Sequence, residues 1–370
     1  MEFTVGERVY NIESLNPVLD QAFLELHTSF LSELPLDLEQ VKLAAEAFFD
    51  ESVGNWGAHD GFFNNFTIIW RSLLNQSHLR AAGRLWQIAL TPALNWEAEH
   101  PGERIHKGTP FYFWGMTTIL EGNLDRGYLL MHQALEEDRR TREEDTPDSA
   151  AYALVTLNHL KQDQAFRDWV VAQAGLMEEF IEVFCQQHES ELTLRDFRER
   201  FLEDAPSLDT VFLFAYALGR LLEMQYIPPY ALKSGFAGQL ELNILFDLTL
   251  VVDQAISGKY DANWRFSDRV AFLATSAGLA LTQNDLKQIN GMFQDDFGGT
   301  LGLLLDAECI LRDGSRIGGR LRDLAVAYGI RNRGAHHTSG APELWQRFGE
   351  VKQSVMNALF MTVKTLYAQE

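Results

Sequence analysis

The chain has 370 residues, is 46% apolar and carries a formal net charge of −21. That length and apolar content describe a globular chain with room for two or three domains and sizeable cores. The negative charge argues against a general nucleic-acid binder, because it repels phosphate. There are two cysteines, Cys185 and Cys309, and no CxxC pair. This argues against a disulfide framework or a thiolate zinc site and suits a reducing cytoplasm. Met1-Glu2-Phe3-Thr4-Val5 does not read as a signal peptide. No uninterrupted apolar run reaches the ~20 residues that span a bilayer. The apolar stretch 242–252 is broken by Asn243, Asp247 and Thr249. The expectation is a cytoplasmic protein with no membrane partner.

Residues 1–12 read as a strand or extended arm. Helical periodicity follows at 17–31 and 37–49, where Leu38, Val41, Ala44 and Phe48 recur at turn spacing. The segment 51–66, rich in Gly, Asn and aromatics, reads as a loop before a helix at 68–75. A helix at 79–90 should end at Thr91-Pro92. Residues 107–138 read as helix, Glu121-Gly122-Asn123 turn, helix. Small residues at Gly115, Gly127 and Ala134 mark where the two helices approach closely. This hairpin weakly resembles one tetratricopeptide-like unit, with 79–96 and 151–186 as degenerate neighbours. An irregular helical bundle with the same hairpin fits equally well. Glu136 to Asp148 is a charged helix end and loop. Helices are predicted at 148–160, 163–186, 193–203 and 208–225.

Pro228-Pro229 with Gly235 and Gly238 marks the predicted domain boundary, near 226–236. The acidity is uneven across it. Residues 1–224 hold 17 Lys/Arg against 37 Asp/Glu, whereas 225–370 hold 14 against 15. Beyond the boundary, 240–256 is apolar nearly all round and should be a central buried helix. Further helices are predicted at 266–279, 283–293, 299–311 and about 316–328. A long closing helix should run from Pro342 to about 367. The fold class is therefore all-α: a helical-hairpin, solenoid-like region over 1–225, then a helical bundle over 226–370.

Chemistry concentrates near the end. Residues 312–333 hold six arginines (312, 316, 320, 322, 331, 333) and two aspartates (313, 323), and lead into Arg331-Asn332-Arg333-Gly334-Ala335-His336-His337. Histidine exchanges protons near neutrality. Arginine is a permanent cation with a donor fork shaped for phosphate. Arg316, Arg320 and Arg331 share one helical stripe if the helix runs that far. The bland reading is a solvated helix face whose Arg and His complement a helix C-terminus. No metal-ligand cluster is visible. His188-Glu189-Ser190-Glu191 begins like a zinc-protease motif, but no second histidine follows. Neither a phosphate-binding GxxxxGK[ST] nor a dinucleotide fingerprint occurs, so no cofactor is expected.

Arg331-Asn332-x-x-x-His336, on a helical C-terminal segment of roughly 230–370, resembles the signature of the HEPN superfamily. The resemblance implies a metal-independent endoribonuclease, of the kind found in toxin and defence systems, working as a homodimer with a composite site. It equally admits a non-catalytic module that binds a nucleotide or protein. In the catalytic reading His336 is general acid or base. Arg331 stabilises charge on the phosphoryl oxygens, and Asn332 orients groups. Arg333, His337, Arg320 and Arg316 contact RNA. His337 also fits the permitted spacing of the catalytic histidine. Five residues along a helix leave Arg331 and His336 ~140° apart. Either Gly334 breaks the helix, or the two residues meet across a dimer. The acidic N-terminal helices are expected to take a protein partner or antitoxin, not RNA.

Overall fold

A computed structural model describes residues 2–5, 8–11, 42–43, 45–47, 49–50, 61–142, 149–205, 207–228, 234–260, 263–333 and 342–367. The all-α class holds. Strands β1 (Glu2–Val5) and β2 (Arg8–Asn11) form one antiparallel pair in the register Glu2↔Asn11. Every other element named below is helical. By contacts the chain divides into two compact units. The first comprises Met1–Ala153 and Lys161–Arg167, the second Leu154–Leu160 and Asp168–Glu370. Most of the helices expected at 163–225 thus belong with the C-terminal helices, and no unit boundary falls at 226–236.

In the first unit α1 (Gly61–Asn75), α2 (Leu79–Glu99), α3 (Gly108–Leu120) and α4 (Leu124–Arg142) each pack on the next. The helix α1 begins well before 68, inside the stretch read as a loop. Phe63, Phe66, Ile69 and Trp70 are buried, and that apolar face outweighs the local Asn content. The helix α2 continues through Pro92, where an end was predicted. Proline removes one intrahelical bond, but Ala89, Leu90, Pro92 and Ala93 are all buried, which carries the helix onward. Trp70, Trp86 and Phe113 form the aromatic centre. Trp70 and Phe113 lie 4.2 Å apart, and Trp70 Nε1 donates to Thr117 Oγ1 at 2.9 Å.

The α3–α4 hairpin closes as the small residues require. A Cβ on Gly127 would sit 3.0 Å from Ile119 N and 3.1 Å from Gly115 O. Lys107, just before α3, is buried with its Nζ 2.6 Å from Glu97 Oε1 and 3.0 Å from Glu137 Oε2, and it donates to Ile105 O. An ammonium enters a core only when so matched. Gly127→Ala should cost about 1–3 kcal/mol through this overpacking, read as a lower urea midpoint with an unchanged slope.

The division between the units falls within α5 (Ala150–Val155), which ends just before Leu157 takes φ +57°, so the expected 148–160 helix is short. The helices α6 (Gln164–His188), α7 (Leu194–Phe197), which runs into a π turn at Arg198–Leu202, and α8 (Leu208–Gln225) follow. Next come α9 (Gly235–Ser257), α10 (Phe266–Ser276), α11 (Gln283–Asp295) and α12 (Phe297–Leu305). Then α13 (Gly319–Arg333), α14 (Pro342–Gln346) and α15 (Phe348–Leu366) complete the unit. Side-chain caps start several of them: Ser207, Ser234, Thr282 and Asp296 each accept from a backbone N–H of the following turn. The closing helix is two pieces, broken at Arg347.

Two helices run through the middle. Among the described residues α9 is the helix long and apolar enough to cross a membrane. Its buried residues include Leu242, Leu245, Leu248 and Val252, and its Asp247 pairs with Arg220 of α8. That is the pattern of a core helix. The helix α13 is buried continuously from Asp323 to Ile330.

The core also holds Glu241 of α9, 1% exposed, with Oε2 lacking a partner among the described residues. Burial pushes its carboxyl up to about 7, against the pull of Lys352 on α15. Burial in turn pushes the Lys352 ammonium down, against the pull of Glu179 and Glu241. Because the folded chain holds the Glu241 proton more tightly than the unfolded one, its contribution is intact below about 4.5 and is lost as pH rises to about 7. Glu241→Gln should remove that dependence. Its melting temperature should exceed the parent's at pH 8 and match it near pH 4.5, in paired thermal scans.

Candidate functional site

The Arg-Asn-Arg of the motif lies at the C-terminal end of α13, still helical through Arg333. Arg331 and Asn332 are half-buried. His336 and His337 lie outside the described residues, as does the Arg333 side chain. The site can therefore be built from Arg331.

Arg331 is held from three directions. Its Nη2 lies 3.3 Å from Asp253 Oδ2 of α9. Its guanidinium carbon sits 5.5 Å from the Phe246 ring centre and 5.9 Å from that of Phe266. Tyr328, one turn earlier on α13, stacks on Phe266 at 5.8 Å. Arg269 of α10 donates to the other oxygen of Asp253 at 2.5 Å. One carboxylate thus bridges two arginines. The Arg331 Nε is buried and has no partner among the described residues.

The sequence supports this locally. Asp253 sits in an apolar helix, so its charge requires a cationic partner. Its neighbours Val252, Ala255 and Ile256 are buried beside it. At Gly329, two residues before Arg331, a Cβ would collide with the ring of Phe293, so only glycine allows that ring to lie on the helix backbone.

The other arginines do not gather here. Arg316 precedes α13, in an isolated bridge to Ile310, and is exposed. The helix starts at Gly319, which takes φ +55°, so the stripe of three arginines reduces to Arg320 and Arg331. Arg320 donates to the carbonyl of His188 at 2.8 Å. Arg322 donates through Nε and Nη2 to its neighbour Asp323.

Asp323 anchors a second buried network. Its Oδ2 lies 2.8 Å from His188 Nε2 and accepts from Asn357 Nδ2 at 2.9 Å. Asn357 also donates to Gln187 Oε1 and accepts from Gln353 Nε2. The His188 side chain is 4% exposed and that of Asp323 1%. This joins α6, α13 and α15, and sequence reasoning missed it. His188 appeared only as half of a metal motif. Asp323 appeared only as a charge in a basic window. Among the described residues no group of three His, Cys, Asp or Glu side chains is placed to hold a metal ion. Compared with protein-family models, curated proteins and solved structures, the chain matches none.

Asp253→Asn removes the carboxylate that bridges Arg269 and Arg331 and should cost about 2–4 kcal/mol. Arg331→Ala removes the more exposed partner and should cost about 1–2 kcal/mol. Urea denaturation of both variants checks this order, and a larger loss from Arg331→Ala would contradict it.

Proposed function

We propose that the protein is a metal-independent endoribonuclease of HEPN type, a toxin or defence effector. Its RNA substrate supplies the nucleophile, the 2′-hydroxyl. His336 moves the proton, Arg331 stabilises charge on the phosphoryl oxygens, and Asn332 orients groups. Arg333, His337, Arg320 and Arg316 hold RNA. The products are a 2′,3′-cyclic phosphate and a 5′-hydroxyl. The observation that carries the reading is Arg331, fixed at the end of a core helix with Nε unpaired among the described residues. A side chain locked by packing and ion pairing needs little reorganisation to meet charge as it develops. Since α13 is helical through Arg333, Arg331 and a histidine five residues on converge poorly within one helix. We therefore place the motif near the two-fold axis of a homodimer formed by the C-terminal helices. The acidic helices of the first unit, read as repeat-like, take a protein partner or antitoxin.

A second reading rests on the same residues. Arg331 already has a counter-charge in Asp253, as in a non-catalytic HEPN-like module that binds a protein partner or nucleotide. Incubation of the purified protein with RNA in EDTA, with mapping of the ends, separates the two. Cleavage to cyclic phosphate ends, falling about 10²–10⁴-fold in His336→Ala and comparably in Arg331→Ala, is the expected result. The solution mass should be that of a dimer. Activity that requires Mg²⁺, or 3′-hydroxyl ends, would overturn the mechanism. An active monomer would overturn the composite site. RNA or nucleotide binding without cleavage would favour the second reading.

A further inference from the structure

A cleft of about 1130 Å³ opens in the first unit, where the start of α2 meets the α3–α4 turn. Arg80 and Arg84 of α2 and Arg126 of α4 line it, and all three are exposed. None pairs with a carboxylate among the described residues. Arg84 donates to Gln87, and Arg126 lies 4.9 Å from the Trp114 ring centre. Other arginines of the unit do pair. Arg71, Arg104, Arg139 and Arg140 each have a carboxylate partner.

The sequence sharpens the contrast. Residues 1–153 hold 24 Asp/Glu against 11 Lys/Arg, yet 61–96 contains three arginines and no carboxylate at all. A lone acidic group, Glu121, reaches the lining. Acidic residues are thus absent from α1 and from α2 up to Trp96, in a unit otherwise full of them. The α2 N-terminus adds to the positive end, since its N-cap residue His78 makes no side-chain cap bond there.

We infer that this cleft binds an extended acidic segment of a protein partner, with Arg80 and Arg84 taking carboxylates from alternate positions of the segment. One helical turn separates Arg80 from Arg84 by about 6 Å of rise. Alternate side chains of an extended peptide repeat at about 6.6 Å, so the two rows match. Leu79 and Trp114 supply an apolar floor, both half-buried. RNA fits less well. The Trp114 face that a base would stack on is covered by Arg126. A polyanion would also meet the unit's net negative charge at long range, whereas a short segment presents only a few charges. The inference deepens the partner role proposed for the first unit and does not depend on ribonuclease activity.

Fluorescence anisotropy on the full chain tests it with a labelled dodecapeptide of alternating Glu and Ala. Its Gln-Ala counterpart and a labelled dodecauridine oligomer are the comparisons. The acidic peptide should bind at least about tenfold more tightly than either, and lose affinity between about 50 and 500 mM salt. The Arg80→Glu/Arg84→Glu variant should weaken it at least about tenfold. Arg167→Glu, an exposed charge reversal elsewhere in the unit, should leave it unchanged. Equal loss in both variants, equal binding of the neutral peptide, tighter binding of the oligouridine, or no binding by about 1 mM would each overturn the proposal. None of these outcomes bears on cleavage in EDTA, so the two proposals fail separately.

Discussion

The second unit depends on matching Asp253 and Asp323, the carboxylates that its two central helices carry into the core. The helices α9 and α13 are buried along most of their length, and a charge without a counter-charge there costs several kcal/mol. Asp253 is matched by Arg269 and Arg331. Asp323 is matched by Arg322 and lies in hydrogen-bond reach of His188 and Asn357. Each carboxylate sits on one central helix and draws partners from others. Asp253 ties α9 to α10 and α13, and Asp323 ties α13 to α6 and α15. Apolar packing alone tolerates sliding of one helix along another. A bridged carboxylate does not, because a shift of one turn would strand it in the core. Glu241 lacks such a match and raises its own pKa instead, the other way a core accommodates a carboxyl group.

The first unit applies the same rule with the signs reversed. Lys107 is the buried cation, and Glu97 and Glu137 converge on it from α2 and α4. Glu97 also accepts from the backbone N–H of Ile105 at 2.7 Å. The loop before α3 is thereby fixed by its own lysine, and the α3–α4 hairpin enters at a defined angle. The glycine contact at Gly115 and Gly127 then sets how closely the two helices lie.

Long periodic helices were legible in the sequence because an apolar face has one period. The run 240–256 read as a central helix and α9 is one. Gly115 and Gly127 read as a close approach and are one. What failed was mostly at boundaries, where tertiary burial overrides a local signal. Pro92 should stop a helix, yet buried neighbours carry α2 past it. Pro228-Pro229 should separate one domain from the next, yet α8 packs on α9 across that segment. At the candidate site, the sequence singles out Arg331 because residues of one motif are adjacent in the chain. Asp253, Arg269 and the set His188, Asp323 and Asn357 are adjacent only in space. A faint signal existed for Asp253, as a carboxylate in an apolar helix must be paired.

That pairing bears on the role proposed for Arg331, an arginine that is also structural. Were Asp253 matched by Arg331 alone, moving Arg331 to a phosphate would strand the carboxylate, at a cost of several kcal/mol. Arg269 removes most of that cost, since it holds the other oxygen of Asp253 at 2.5 Å from a second helix. The Phe246 and Phe266 rings meanwhile hold the guanidinium within 6 Å whichever anion it faces. The unpaired Nε faces the same choice. It is buried and without a partner among the described residues, a state that costs about 1–3 kcal/mol for such a group. An anion accepting from Nε recovers that energy on binding. The same arrangement that keeps Arg331 in place leaves its buried Nε without a partner among the described residues.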